Sequence, residues 1–221
     1  DCDRVGIAVR DAAGEYMLLS GNQVGVLLLD YICSQRIKHG RMPENPVFIK
    51  TIVSTDLCER IAAHYGVETR NVLTGFKYIG EQIGQMEAYG KADSYIFGFE
   101  ESYGYLFGSY VRDKDAVNAS LLICEMFCYY ASQGISLLDR LHMIYEQYGN
   151  CLNRVHSYSF EGAAGFETMQ KIMAEVRNLA DDLCGYKIER KLNYAQGIGG
   201  LPKADVVKFV LENNCFVIVR P

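Results

Sequence analysis

Residues 47–73 read VFIKTIVSTDLCERIAAHYGVETRNVL, and this stretch decides the fold. Its first part, VFIKTIV, is a short apolar run rich in β-branched residues, which suits a buried strand. TDLCERIAAHYG follows as a capped helix, with Leu57, Ile61, Ala62 and Tyr65 turned inward and Gly66 closing it. TRNVL is then a second strand. Strand, helix and strand at this spacing imply parallel strands joined by a right-handed crossover.

The same alternation extends in both directions. Upstream, VGIAVRDAAGEYMLLSG (5–21) reads as two strands about a turn at Ala13-Gly14. In SGNQVGVLLLDYICSQRIKHG (20–40), Ser20 and Gln23 have capping-box spacing. Val24, Leu27, Leu28, Tyr31 and Ile32 share one helical face there, and Gly40 is the stop. Downstream come the loop TGFK (74–77), a helix over 78–90 and a third strand, DSYIFGF (93–99). A Gly- and Tyr-rich loop over 100–116 leads into an apolar helix, AVNASLLICEMFCYYASQG, and an amphipathic one, SLLDRLHMIYEQYG.

From about Cys151 the character changes. NRVHSYSF alternates like a strand, FETMQKIMAEVRNLADDL is helical, and DVVKFVLENNCFVIVRP is a hairpin turning at Asn213-Asn214. GIGGLPK (197–203) lacks the glycine spacing and the Lys-Ser/Thr ending of a P-loop. The expected fold class is therefore α/β, with a mixed, largely parallel sheet flanked by helices and a partial α+β domain beside it.

Bulk properties exclude several functions. With 221 residues, 49% hydrophobic and 22% charged, the composition is that of an ordinary globular chain. A net charge of -5 argues against a nucleic-acid partner, because phosphate neutralisation needs a basic face. No apolar run reaches the roughly 18 residues of a membrane span. The eight cysteines form no C-x-x-C pair, and their scatter favours free thiols in a reducing compartment over disulfides. Cys124 and Cys128, four apart in an apolar helix, have core spacing. The four histidines lie far apart, which disfavours zinc.

In parallel α/β sheets ligands gather at the carboxyl ends of the strands. Lys50-Thr51, Thr74-Gly75-Phe76-Lys77 and Glu100-Glu101-Ser102 all fall at such ends. Either they are three ordinary solvated loops, or they line one rim suited to a polyhydroxylated, anionic small molecule. Asp1 and Asp3 in DCDR have the spacing of oxygen ligands for a hard cation.

DCDR (1–4), TGFKYIG (74–80), FGFEESYGYLFGSYVRDKDA (97–116) and GLPKADVVKFVLENNCFVIVRP (200–221) occur in order. Together they resemble the α-D-phosphohexomutases, and most closely the bacterial phosphoglucomutases of the longer, phosphopentomutase-like branch. The resemblance implies four domains around one cleft, of which this chain would be a fragment: residues 1–14 the end of domain 2, 15–152 domain 3, and 153–221 the start of domain 4. It implies interconversion of glucose 1-phosphate and glucose 6-phosphate through a phosphoserine and a glucose 1,6-bisphosphate, which also serves as activator. The phosphoserine loop would lie outside these residues, leaving the fragment inactive.

Carried over to these positions, Asp1 and Asp3 would hold Mg2+, and Arg4 would offset charge on the transferring phosphoryl group. Glu100 and Ser102 would bind sugar hydroxyls beside a wall of Thr74, Gly75 and Lys77. Lys50 and Lys114 would be cations facing the cleft, although Lys114 could equally be a solvated side chain in a capping turn. Arg220 would meet the other phosphate. The expected partner is a small sugar phosphate, in the cytoplasm. Phe99 where a Gly is usual, and Tyr103 where a Gly is frequent, loosen the choice between glucose, mannose and pentose. A phosphomannomutase, a phosphopentomutase and a non-catalytic sugar-phosphate-binding module remain the alternatives.

Overall fold

The protein is described by a computed structural model covering residues 2–221; Asp1, one of the two expected metal ligands, lies outside the described residues. The chain divides into two compact units, one ending at Asn153 and the other running Arg154–Pro221.

The first unit opens with a short antiparallel hairpin, β1 (Ala8–Arg10) and β2 (Tyr16–Leu18). The Asp11 carboxylate makes its turn, accepting from the Ala13 and Glu15 amides at 2.9 Å each. Helix α1 (Gly21–Lys38) starts with the capping box expected of Ser20 and Gln23. Then come β3 (Val47–Thr51), α2 (Leu57–His64), β4 (Glu68–Val72), α3 (Phe76–Ala88) and β5 (Tyr95–Glu100). Strand β6 (Gly104–Leu106) and helices α4 (Ala116–Ala131) and α5 (Leu137–Tyr148) complete the unit.

The sheet order is β4-β3-β5-β6. β3 is parallel to both β4 and β5, whereas β6 returns antiparallel along β5. The sheet is therefore mixed and mainly parallel. β6 lies inside the stretch read from sequence as one long loop. Its residues Gly104, Tyr105 and Leu106 are all buried, but a strand of three leaves too short a pattern to stand out.

Helices α1, α2, α4 and α5 share one core with Phe48, Phe97, Phe99 and Tyr105, while α3 packs on Val47, Ile49, Tyr95 and Leu106. Rings of Phe48, Phe97, Phe99 and Tyr105 stack side by side, with centroids 5.9–6.2 Å apart. Gly25 lets α1 sit on this ladder, because a Cβ there would stand 2.4 Å from the Phe99 ring. Helix α1 is buried on more than the single face read from sequence. Every residue from Val24 to Cys33 is buried, because neighbouring helices and the sheet enclose it.

Helix α4 departs from expectation in a different way. Ala119, Leu122, Ile123, Met126 and Tyr130 face the core, whereas Cys124 and Cys128 are exposed. An i, i+4 pair marks one helical face, and here the occupied core face is the other one.

In the second unit, α6 (Gly162–Asn178) precedes an antiparallel sheet of β7 (Asp182–Leu183), β8 (Tyr186–Asn193), β9 (Val207–Leu211) and β10 (Phe216–Val219). Its small core is Ile188, Val207, Phe209 and Leu211. The expected 205–221 hairpin is present, with Asn213 in the left-handed region at φ 61°. Residues 153–160 form no strand, since their alternation finds no neighbouring strand to pair with. The helix expected to reach residue 183 ends at Asn178. Beyond it, Cys184 and Gly185 (φ 55° and 88°) make a two-residue turn into β8.

Candidate functional site

The carboxyl end of β5 and the turn that follows it carry the polar rim. β5 ends at Glu100, Gly104 pairs opposite it in β6, and Glu101, Ser102 and Tyr103 form the connection. Glu101 is a fastening: its Oε2 accepts from the hydroxyls of Thr51 (3.0 Å) and Ser54 (3.3 Å), tying the turn to the end of β3. Glu100 faces elsewhere. Its residue is only 4% exposed, and burial pushes its carboxyl above the ordinary carboxylate range. The Lys114 ammonium, the Ser102 hydroxyl and Arg4 pull it partly back.

Lys114 comes from the loop after β6. Its Nζ lies 2.9 Å from Asp113 Oδ1 and 3.4 Å from Asp3 Oδ2, and 5.4 Å from the centre of the Phe76 ring. Burial works against its charge, but Asp113, Glu100 and Asp3 together hold its pKa above the usual lysine value. Lys114 is thus a held ammonium and not a solvated turn residue. Gly104 makes room for it, since a Cβ there would fall 2.3 Å from Lys114 Cδ and 3.1 Å from Glu100 Cγ. Arg4 stands beside Asp3, with 4.0 Å between its Nε and Oδ2.

Thr74 and Gly75 precede Phe76, and Gly75 takes φ 116° as the cap of α3, a conformation glycine allows. The Thr74 hydroxyl is buried without a hydrogen-bond partner among the described residues. An orphaned hydroxyl of this kind is a group a ligand can satisfy. Lys77 is exposed, with its ammonium 4.9 Å from the Tyr78 ring centre.

The structure thus brings Asp3, Arg4, Glu100, Ser102 and Lys114 together, with Thr74 and Gly75 next door through Phe76. Lys50 is a correction. Its side chain is fully buried, 2.9 Å from Asp56 Oδ1 and 3.2 Å from Glu59 Oε1, so it does not face an open rim. The central strand aims it under α2, where the carboxylates of Asp56 at the N-cap position and Glu59 in the first turn neutralise it. Asp56 consequently makes no side-chain cap for α2. Arg220 is exposed at the end of the second unit. Sequence reasoning did not assign Asp113 to this site, and it gave Phe76 a place in the 74–77 rim without the contact to Lys114; only the spatial neighbours reveal both.

Magnesium finds an incomplete donor set here. No group of three His, Cys, Asp or Glu side chains converges among the described residues, and the Asp3 carboxylate meets the Lys114 ammonium. The described residues do not make a cation site by themselves. A crevice of about 120 Å3 at the starts of α1 and α2, lined by Asn22, Gln23, Thr55 and Tyr145, contains none of the rim residues. It is well below the roughly 300 Å3 at which small-molecule pockets begin. No helix of the described residues is long and apolar enough to cross a membrane.

Residues 20–148 match the family model described as phosphoglucomutase/phosphomannomutase, alpha/beta/alpha domain III. Curated phosphoglucomutases from Staphylococcus epidermidis and Staphylococcus aureus are 35% identical to the chain over 233 aligned positions. The match takes in 100% of this chain, which spans 41% of the length of those relatives. Among solved structures, a Thermus thermophilus protein assigned as a phosphomannomutase superposes with a TM-score of 0.61 at 22% identity, covering 99% of this chain and 38% of that one. The phosphoglucomutase parafusin from Paramecium, in its open form, gives 0.64 at 17% identity, covering 100% and 36%.

Proposed function

The chain belongs to the phosphoglucomutase/phosphomannomutase family, and from that premise we propose that it forms the sugar-binding part of a mutase interconverting glucose 1-phosphate and glucose 6-phosphate. One observation carries this reading: Glu100, Ser102, Lys114, Asp3 and Arg4, distant in sequence, converge at the carboxyl end of one sheet.

Phosphoryl transfer asks a protein for positioning and charge stabilisation. The Glu100 carboxylate can accept from two adjacent ring hydroxyls, an arrangement that serves a sugar presented in either orientation. Ser102 adds a hydroxyl beside it, and the buried Thr74 hydroxyl offers a third polar contact. Lys114 is held as an ammonium, so its role is to stabilise charge on transferring oxygens, not to remove a proton. Arg4, at the open side of the cluster, adds a second positive charge.

In this reading a phosphoserine elsewhere in a longer polypeptide gives its phosphoryl group to a sugar hydroxyl, and the P–O bond to serine breaks as the bond to the sugar forms. The hydroxyl proton ends on the serine oxygen. The bisphosphate then turns over and returns its other phosphate. Asp3, together with Asp1, would contribute to a Mg2+ site completed by other residues, and Arg220 would meet the second phosphate. Residues 1–14, 15–152 and 153–221 are read as parts of three successive domains, and the protein as a cytoplasmic enzyme of sugar-phosphate metabolism.

The test is a coupled assay for glucose 6-phosphate. The natural-length protein is given glucose 1-phosphate, Mg2+ and a trace of glucose 1,6-bisphosphate, with Glu100→Ala run in parallel. Turnover that Glu100→Ala abolishes supports the proposal. Preference for mannose or ribose phosphate would move the specificity within the family. Inactivity on all three would leave a sugar-phosphate-binding module.

A further inference from the structure

Tyr103 carries a backbone conformation that its side chain disfavours. Its φ is 67°, and of the described residues other than glycine only Cys184 and Asn213 share a positive φ. Left-handed backbone is unfavourable for an L-residue with a Cβ, and such strain persists where surrounding contacts impose it. Three contacts do so here. The Tyr103 carbonyl accepts from the Val5 amide at 3.2 Å. A Cβ built on Gly6 would stand 3.8 Å from the Tyr103 ring, so the ring rests against the 4–6 segment. On its other side the turn meets the start of α1, where a Cβ on Gly21 would lie 2.8 Å from the Tyr103 amide nitrogen.

The consequence is a join between two pieces of the candidate site. The turn of Glu100–Tyr103 belongs to the sheet, whereas Asp3 and Arg4 arrive from the other end of the unit's sequence. Val5, Ile7 and Val9 pack on the core, leaving Arg4, Gly6 and Ala8 outward, and Gly6 is where the ring lands. We propose that Tyr103 is a positioning residue: by main chain and ring together it clamps the Asp3–Gly6 segment onto the sugar-binding turn and so sets Asp3 and Arg4 against Lys114 and Glu100. This inference rests on the mutase reading for its catalytic consequence, but not for the clamp itself.

The experiment uses the natural-length protein with Tyr103→Gly, Tyr103→Asn and Tyr103→Phe. Glycine accepts φ 67° without strain and asparagine accepts it readily, so both keep the turn and lose the ring. For both we expect a thermal midpoint no lower than wild type, unchanged exchange protection at Leu106, and faster exchange at the Val5 amide. Misplacement of one side of a site costs up to roughly a hundredfold in rate, so kcat should fall by about ten- to a hundredfold with a smaller change in KM. Tyr103→Phe, which keeps the ring, should restore both Val5 protection and kcat.

Wild-type Val5 protection and kcat in Tyr103→Gly would overturn the proposal. So would a fall in kcat matched by lost protection at Leu106, because that is collapse of the hairpin and not release of a clamp. Val5 exchange is read whether or not the protein turns over any sugar phosphate. A wild-type protein inactive on all three substrates would therefore sink the mutase reading while exchange still judges the clamp.

Discussion

Glu100, the proposed sugar ligand, shows how burial sets a carboxylate against stability. Its environment disfavours the charged form, burial first, so its folded pKa stands above the ~4.3 of an unfolded glutamate. Between those two values the native state holds more protons than the unfolded chain, and stability must fall as pH rises through that window. Glu100→Gln removes the titration. The stability of Glu100→Gln relative to wild type should therefore climb from about pH 4 up through the folded pKa, then level off. Urea melts across that range would read it, and a relative stability falling with pH would contradict it. At this scale the sequence made Glu100, Ser102, Arg4 and Lys114 visible as loop residues of the right chemistry. It could not show that Lys50 lies buried under α2, because strand position alone does not say what carboxylates wait above it.

Among the elements, the start of α1 sets where the Glu100–Tyr103 turn lies. A Cβ on Gly21 would fall 2.0 Å from the Glu101 carbonyl oxygen, a backbone atom that cannot swing away. Gly21→Ala should gain helix propensity of at most about 1 kcal/mol and lose more than that to the clash, while displacing the turn that holds Glu100 and Ser102. The expected outcome is a lower melting temperature together with a rise in KM for the sugar phosphate. A variant as stable as wild type with unchanged KM would mean that the turn does not depend on this contact. The capping box of α1 was legible from Ser20 and Gln23, because caps are local. β6 was not, and neither was the outward placement of Cys124 and Cys128, because both depend on which neighbour covers which face.

For the molecule as a whole, the first unit is cross-tied at Asp30, which is fully buried in the middle of α1. Arg140 of α5 donates to its Oδ2 from Nε (3.0 Å) and Nη2 (2.6 Å), while the Tyr65 hydroxyl reaches Oδ1 at 3.0 Å and that of Tyr130 reaches Oδ2 at 3.4 Å. Four helical segments thus meet on one carboxylate. Removing only the cation strands a buried charge, so Arg140→Ala should cost about 3–5 kcal/mol in chemical denaturation. Asp30→Asn with Arg140→Met together should cost clearly less than the sum of the single changes. Additive losses would show that the pair is not coupled.

The sequence by itself determined the strand–helix alternation over 47–99, the capping box of α1, and the polar residues at the strand ends, since each follows from local periodicity and turn chemistry. Tertiary structure alone decided that β6 folds back along β5, that residues 153–160 stay outside any sheet, and that Lys50 is neutralised in the core. It alone brought Asp3 to Lys114 across more than a hundred residues of chain. The physical reason is the same in each case. Local pattern says which side chains want burial or charge, but the partner that satisfies them is chosen by packing between segments far apart in sequence.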